Sequence, residues 1–273
     1  MISEYLYAGT EEVVFDEVEH AYHWRGERLP SVTTVASIKS KGDKLIEWAM
    51  NEGERYMLSH WDEESARSEV SRAALLRGMK KAWVESRKYK ASVGQEAHEW
   101  IEKHIQAKLL INPDPLWPDN EESHKAAESY MEWENNHSVQ YIYSEKLVLS
   151  KEHRFCGKLD VEAIVDGYHC ILDVKTSNAY RSDYALQTAG YLLARNEERR
   201  YEGLPPLHDR IILLVSKQEA AFLPLRLPNS RNEHDIEGFL GARRLYSWAE
   251  KEGALPAVKT DKTKRKRRVH VSP

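Results

Sequence analysis

"GKLDVEAIVDGYHCILDVKTS", residues 157 to 177, is the stretch on which the reading of the fold turns. At its centre, Asp166-Gly167 is a two-residue turn signal, because a type I′ turn needs positive φ at both central positions and these residues accept it at low cost. The turn predicts an antiparallel hairpin in which Val165 faces Tyr168. That register sets Asp160 directly across from Asp173 and Lys158 across from Lys175. One face then carries Leu159, Val161, Ala163, Val165, Tyr168, Cys170, Leu172 and Val174, a continuous core-facing set. The other carries Lys158, Asp160, Glu162, Ile164, His169, Ile171, Asp173 and Lys175.

Opposed strand positions have Cβ atoms ~5 Å apart, where like charges destabilise by roughly 0.2–1 kcal/mol, and Asp is a poor strand residue. Two carboxylates in that place make sense if a cation sits between them. Hard oxygen ligands favour Mg²⁺, which takes one or two carboxylates and fills its remaining positions with water and phosphate. Lys175, two residues past Asp173 on the same face, could then orient or deprotonate water and offset charge developing on a phosphate. The plain alternative is a sheet face that meets water. Helical patterns on both sides of the hairpin argue for a covered face, and covered charges need compensation.

Outward from the hairpin, VQYIYSEKLVLS (139–150) is β-rich, SDYALQTAGYLLARNEER (182–199) helical, and RIILLVS (210–216) a short buried strand. AAFLPLRL (220–227) reads as an edge strand, since Pro224 removes a ladder donor, and EHDIEGFLGARRLYSWAEKE (233–252) as a closing helix. Upstream, apolar residues at three- and four-residue spacing predict helices over 44–61, 71–90 and 94–110. The proline-rich INPDPLWPDN (111–120) interrupts them before HKAAESYMEWENN (124–136). The start, VVFDEVEHAYHWRGERLPSVTTVAS (13–37), predicts a small hairpin turning at Arg25-Gly26 and ending at Pro30, with Ser31 or Thr33 capping a helix. The order in the second half is helix, three strands, helix, strand, an α/β (α+β) arrangement. It divides as 1–90, an N-terminal hairpin and helical region; 91–255, the core; and 256–273, a basic flexible tail.

A chain of 273 residues with 41% apolar and 10% aromatic residues can fill a real core. Its net charge of −4 hides an asymmetry. Lys259, Lys262, Lys264, Arg265, Lys266, Arg267 and Arg268 against Asp261 give the tail +6 and leave −10 for the rest. Such a tail cannot bury enough surface to fold, and a solvated tail and a phosphate-binding one are equally open. Cys156 and Cys170 make no CxxC or four-cysteine pattern, so a reducing compartment without iron-sulfur cluster or structural zinc is expected. With no apolar run of signal-peptide or membrane-spanning length, a soluble cytoplasmic protein is expected.

Four stretches in order resemble the PD-(D/E)XK nuclease superfamily, and within it the RecB-like and phage-type exonuclease branch. They are GQEAH (94–98), GKLD (157–160), DVKT (173–176) and QTAGY (187–191), and HAYHWRGERLPSVTTV (20–35) is similar to the leader of phage and prophage members. The resemblance covers roughly residues 13 to 195. It implies a restriction-endonuclease-like core, with a helix, a three-stranded antiparallel meander, a helix and a strand, behind a largely helical N-terminal region. It implies Asp160, Asp173, the Val174 carbonyl and His98 as ligands of Mg²⁺ or Mn²⁺, and Lys175 as the catalytic lysine. Gln187 and Tyr191, four apart on one helix face, would line the site. Thr176 and Glu145 also match family positions, and Glu145 could equally be a surface partner of Lys146 or Lys151.

Taken without the family, His98 fits a structural histidine, and Gln187 with Tyr191 a core pair. The implied activity is Mg²⁺-dependent exonucleolytic hydrolysis of DNA, in a bacterial or phage-infected cytoplasm, of a phage recombination or repair type. A single-strand annealing or recombination protein is the implied partner. A restriction-like endonuclease on the same core and a non-cleaving DNA-binding scaffold are the competing readings. The two cysteines cannot supply the four-cysteine cluster of some RecB-like relatives, and with no GxxxxGK[ST] stretch a helicase motor would be a separate chain. Candidate DNA contacts are Lys264, Arg265, Lys266, Arg267 and Arg268 in the tail, and Arg77, Lys80, Lys81, Arg87, Lys88 and Lys90, a run that also fits a solvated helix face.

Overall fold

In the computed structural model, which describes residues 1–38, 42–62, 68–177, 179–215 and 222–253, the Asp166-Gly167 turn takes φ of 50° and 85°. It joins β6 (Phe155–Val165) to β7 (Tyr168–Lys175). Backbone pairing follows the expected register from Val165↔Tyr168 to Val161↔Leu172, and there it stops. The expected direct pairs, Asp160 with Asp173 and Lys158 with Lys175, are not ladder pairs. β7 runs on beside β8 (Asp209–Val215), with Asp173 next to Ile212, while β6 runs on beside β5 (Val139–Ser150), with Lys158 next to Leu147. The Asp160 carboxylate stands in for the lost strand acceptor, its Oδ2 taking the Val174 N–H at 2.9 Å. A side chain thus satisfies a backbone donor that the parting strands would orphan.

After β7 the chain crosses through α5 (Ser182–Tyr201) to β8, which is parallel to β7, and returns as the antiparallel edge strand β9 (Phe222–Leu227). The sheet order is β5-β6-β7-β8-β9, a mixed sheet in a mixed α/β fold. On one face, Ala97, Trp100 and Ile101 of α3 (Glu69–Lys108) and Tyr130 and Trp133 of α4 (Glu121–Asn136) cover Val161, Ala163, Cys170, Leu172 and Val174. On the other, Val32 of α1 (Val32–Ala36), Tyr191 and Leu192 of α5 and Phe239 of α6 (Asn232–Lys251) cover Phe155, Leu159 and Ile171.

Two residues depart from the expected faces. Leu159 packs with Ile171 instead of Val161, because alternation is enforced only while the ladder continues and it changes where β6 leaves β7. Across that same interval, β5 places Glu145 at φ 54°. Tyr168 is exposed, and the Arg226 guanidinium covers its ring at 3.7 Å.

The N-terminal segment contains more strand than its sequence announced. β1 (Ile2–Leu6), β2 (Glu11–Asp16), β3 (Ala21–Trp24) and β4 (Glu27–Leu29) form an antiparallel sheet of four. Leu6, Tyr7, Val13 and Trp24 seat it on Leu147, Leu149 and Cys156. The Arg25-Gly26 turn forms, and Ser31 caps α1 by accepting the Thr34 N–H at 3.0 Å. The helices expected over 71–90 and 94–110 are one helix of 40 residues, since Ser92-Val93-Gly94 holds no proline to break it. The boundary expected at 90/91 therefore falls inside α3, which packs along α2 (Gly42–His60). Residues 256–273 lie outside the described residues. No helix among the described residues is long and apolar enough to cross a membrane.

Candidate metal centre

Val32 explains why two of the motif stretches carry glycine. A Cβ on Gly157 would lie 2.8 Å from Val32 Cγ2 and 2.8 Å from Tyr191 Cε1. One on Gly190 would lie 2.7 Å from the Phe239 ring and 3.0 Å from Val32 Cγ1. The short helix α1 thus wedges between β6 and α5 only because both positions lack side chains. That contact brings GKLD, QTAGY and PSVTT together and presses the Tyr191 ring against the floor of the site.

Four elements converge there. β5 delivers Glu145, β6 Asp160, β7 Asp173 and Lys175, and α3 His98, which lies one position past the buried Ala97 and so emerges at the edge of the packed face. Ligand atoms of His98, Glu145 and Asp160 all lie within 4.8 Å of one another. His98 Nε2 is 3.4 Å from Asp160 Oδ2. Asp173, wholly buried, is not part of that trio: its Oδ1 accepts from Gln187 Nε2 at 3.3 Å, and Lys175 Nζ stands 2.6 Å from its Oδ2. This last contact is a close ion pair, so Lys175 is the cation that answers the buried Asp173 charge. Gln187 is itself oriented by Tyr191, its Nε2 lying 3.1 Å from the Tyr191 Oη.

The electrostatics describe buried carboxylates that repel one another and are each answered by a cation. Burial, with the Asp160 charge adding, pushes Asp173 up to about 7 against the pull of Lys175. Burial and Asp160 likewise raise Glu145, although Lys158 opposes them with its Nζ 2.7 Å from Glu145 Oε2. The hydrogen bond with Asp160, helped by the Asp160 and Glu145 charges, pushes His98 up to about 9 despite burial. Lys175 is raised because Asp173 and Asp160 outweigh its desolvation. Asp160 alone is held below the ordinary carboxylate range: burial would raise it, but Lys175, His98 and the Val174 N–H prevail.

A divalent cation fits this donor set. The trio offers one imidazole nitrogen and two carboxylates, and the wholly buried Asp173 carboxylate lies close enough to Asp160 to be raised by its charge. Mg²⁺ and Mn²⁺ suit oxygen-rich sites of this kind. Of the expected ligands, His98 and Asp160 meet, Glu145 joins them more closely than Asp173 does, and Val174 contributes its N–H to Asp160. Glu145 was weakly signalled in the sequence. Its partner is Lys158, whereas Lys146 pairs with Glu198 and Lys151 with Glu11. A non-glycine residue at φ 54° in mid-strand is backbone strain of the sort found at functional sites, and no sequence pattern reports it.

Thr176 follows β7 directly and is half-buried. Arg77, Lys80, Lys81, Arg87, Lys88 and Lys90 are exposed along α3, and the tail lysines and arginines lie outside the described residues. Glu162, the fourth ionisable group of the hairpin core, plays no part here. Fully buried, it accepts from Arg195 at 2.7 Å and Arg199 at 3.3 Å and meets His169 at 2.9 Å, so it anchors α5 to the sheet. A second acidic group, Glu152, His153 and Glu197, is structural: Glu197 already accepts from Ser150 at 2.6 Å and Tyr7 at 3.4 Å.

No protein-family model matches the chain, and no curated protein matches it.

Proposed function

We propose that the chain is a metal-dependent deoxyribonuclease that hydrolyses DNA phosphodiester bonds from strand ends. The observation that carries this reading is the convergence of three carboxylates and one imidazole in a mostly buried pocket, with Lys175 beside Asp173 and Lys158 beside Glu145. Carboxylates from three strands meet here closely enough that Asp160 raises both Glu145 and Asp173, and a divalent cation would relieve that repulsion. Mg²⁺ or Mn²⁺ held by His98, Glu145 and Asp160, with Asp173 adjoining, would supply polarisation of the scissile phosphate and an activated water.

The chain's own residues do the rest. Lys175 points its ammonium to where an attacking water and the phosphoryl charge would meet. Gln187 and Tyr191 fix the Asp173 carboxylate, and His98 buttresses Asp160. The resemblance of GKLD, DVKT, QTAGY and GQEAH to phage-type exonucleases supports DNA as substrate, end-dependence, a restriction-endonuclease-like core and a recombination or repair setting. The test is one set of reactions on end-labelled linear and circular DNA, single- and double-stranded, with Mg²⁺, Mn²⁺ or EDTA. Metal-dependent loss from linear ends that disappears in Asp173→Ala and Lys175→Ala is expected. Equal activity in those variants, or none in the wild type with either metal, defeats the proposal; cutting of circles moves it to an endonuclease.

A further inference from the structure

Away from the metal centre, α2 and α3 enclose a groove of about 600 Å³, floored by Ile46, Met50, Met79 and Trp83, with Lys80 and Arg87 on its rim against the single acid Glu54. Ile46 and Met50 are 61% and 69% exposed, so the groove is open to solvent. The N-terminal half of α3 is a basic run. Residues 69–90 carry Arg72, Arg77, Lys80, Lys81, Arg87, Lys88 and Lys90 against Glu69 and Glu85, although Lys90 is partly answered by Glu52 at 3.5 Å.

Cations of α3 lie over rings of both helices. The Arg87 guanidinium lies 5.5 Å from the Trp83 ring centre, and nearer His98 the Lys90 ammonium lies 5.3 Å from that of Trp48. Lys80 and Arg87 are seven residues apart, about 10 Å along a helix rising 1.5 Å per residue. Four successive phosphates of a stacked strand, separated by three rises of about 3.4 Å, span about the same length.

We propose that this groove binds single-stranded DNA, with bases stacked on Trp83 and the apolar floor and with phosphates on Lys80 and Arg87. This deepens the nuclease reading and rests on it for the identity of the polymer. The floor excludes a duplex as the preferred occupant, because paired bases hide the π faces that an aromatic and apolar surface engages, whereas an unpaired strand presents them. The basic rim excludes an acid-poor apolar peptide. The volume is in the range that takes a flat aromatic ligand. The groove belongs to the same helix as His98, and Trp83 is about 22 Å from it at 1.5 Å per residue. A strand held there would be fixed in position relative to the metal centre.

The test uses the full chain and fluorescein-labelled oligo(dT) in EDTA, so that binding is read without cleavage. Trp83→Ala should weaken binding about tenfold, Trp83→Phe should restore most of it, and Lys80→Ala with Arg87→Ala should lower the slope of log K against log salt by about 1.4. Lys80 and Arg87 are exposed, so that pair tests the groove even if Trp83→Ala fails to fold. Oligonucleotides carrying 5-bromodeoxyuridine should photocrosslink to the peptide containing Trp83. Metal-dependent hydrolysis of bis(p-nitrophenyl) phosphate, too small to need the groove, should be unchanged in all variants. Wild-type affinity and salt slope in the variants, or crosslinks elsewhere, overturn the proposal. So does sedimentation in which Trp83→Ala dissolves an oligomer while DNA binding persists, since the groove would then hold a second copy. If the variants lose oligo(dT) binding and the wild type hydrolyses neither DNA nor the small diester, the groove stands and the metal-centre reading falls.

Discussion

Gly157→Ala puts one methyl group where the packing leaves no room for it. The new Cβ would lie 2.8 Å from Tyr191 Cε1, 2.8 Å from Val32 Cγ2 and 3.1 Å from Val32 Cβ. Neither neighbour is the loose end of a flexible side chain: Tyr191 is 2% exposed and Val32 0%, and each is locked in the cluster that also holds Phe239. Overpacking of this kind costs roughly 1–3 kcal/mol. At about 2–4 °C per kcal/mol for chains approaching this length, a cost near the middle of that range lowers Tm by about 4–8 °C. The displaced Tyr191 ring should also disturb the Gln187 contact at 3.1 Å and, through it, the 3.3 Å contact to Asp173. Cleavage should therefore fall more than the small fraction unfolded explains. Val32→Ala removes one of the two closest contacts while opening a cavity, so the two changes should couple. In urea denaturation the double variant should be more stable than the sum of the single losses predicts, by about 0.5 kcal/mol or more. A Gly157→Ala protein within about 0.5 kcal/mol of wild type, or a double variant that is simply additive, would mean that the wedge does not set the position of Tyr191.

Lys175→Ala leaves wholly buried Asp173 without its cation; cleavage should fall about 100-fold or more while Mn²⁺ uptake by calorimetry persists, and loss of uptake instead would make Lys175 structural. Glu162→Ala takes one of three carboxylates from Arg195, which is 3% exposed and retains Glu198 and Glu202, and removes the carboxylate that answers the buried Arg199. A loss of about 3 kcal/mol in urea is expected, and adding Arg195→Met should recover part of it. For Glu134, burial would raise the carboxyl, but hydrogen bonds with His104 and Tyr141 hold it below its ordinary 4.5. A depressed folded value contributes stability above the unfolded value that is lost as pH falls through the folded one. The stability gap between wild type and Glu134→Gln should therefore narrow below pH 4.5; a constant gap from pH 7 to 3 would refute the assignment.

What the sequence made legible was whatever a local rule dictates. Asp166-Gly167 fixed a register that holds for five consecutive pairs, because a two-residue loop leaves the strands no freedom to slide. Pro224 placed β9 at the sheet edge, and Ser31 capped α1. What stayed hidden depends on where the chain goes in three dimensions. Val161 and Leu172 end the ladder, and past them the Asp160 carboxylate takes the Val174 N–H in place of a strand carbonyl. No alternation pattern encodes that exchange, so the two acids were expected face to face. Glu145 reads as any exposed strand acid until its backbone is seen at φ 54°, turned beside Asp160 and answered by Lys158. Glu162 shows the converse: it is a carboxylate on the same strand as Asp160, yet Arg195 and Arg199 reach it from α5, whereas Asp160 meets His98, a strand amide and the charge of Lys175. Identical chemistry two residues apart thus divides into anchor and candidate ligand according to whether a guanidinium arrives. Arginine supplied by an element some 33 residues away decides which carboxylate remains free to attract a metal.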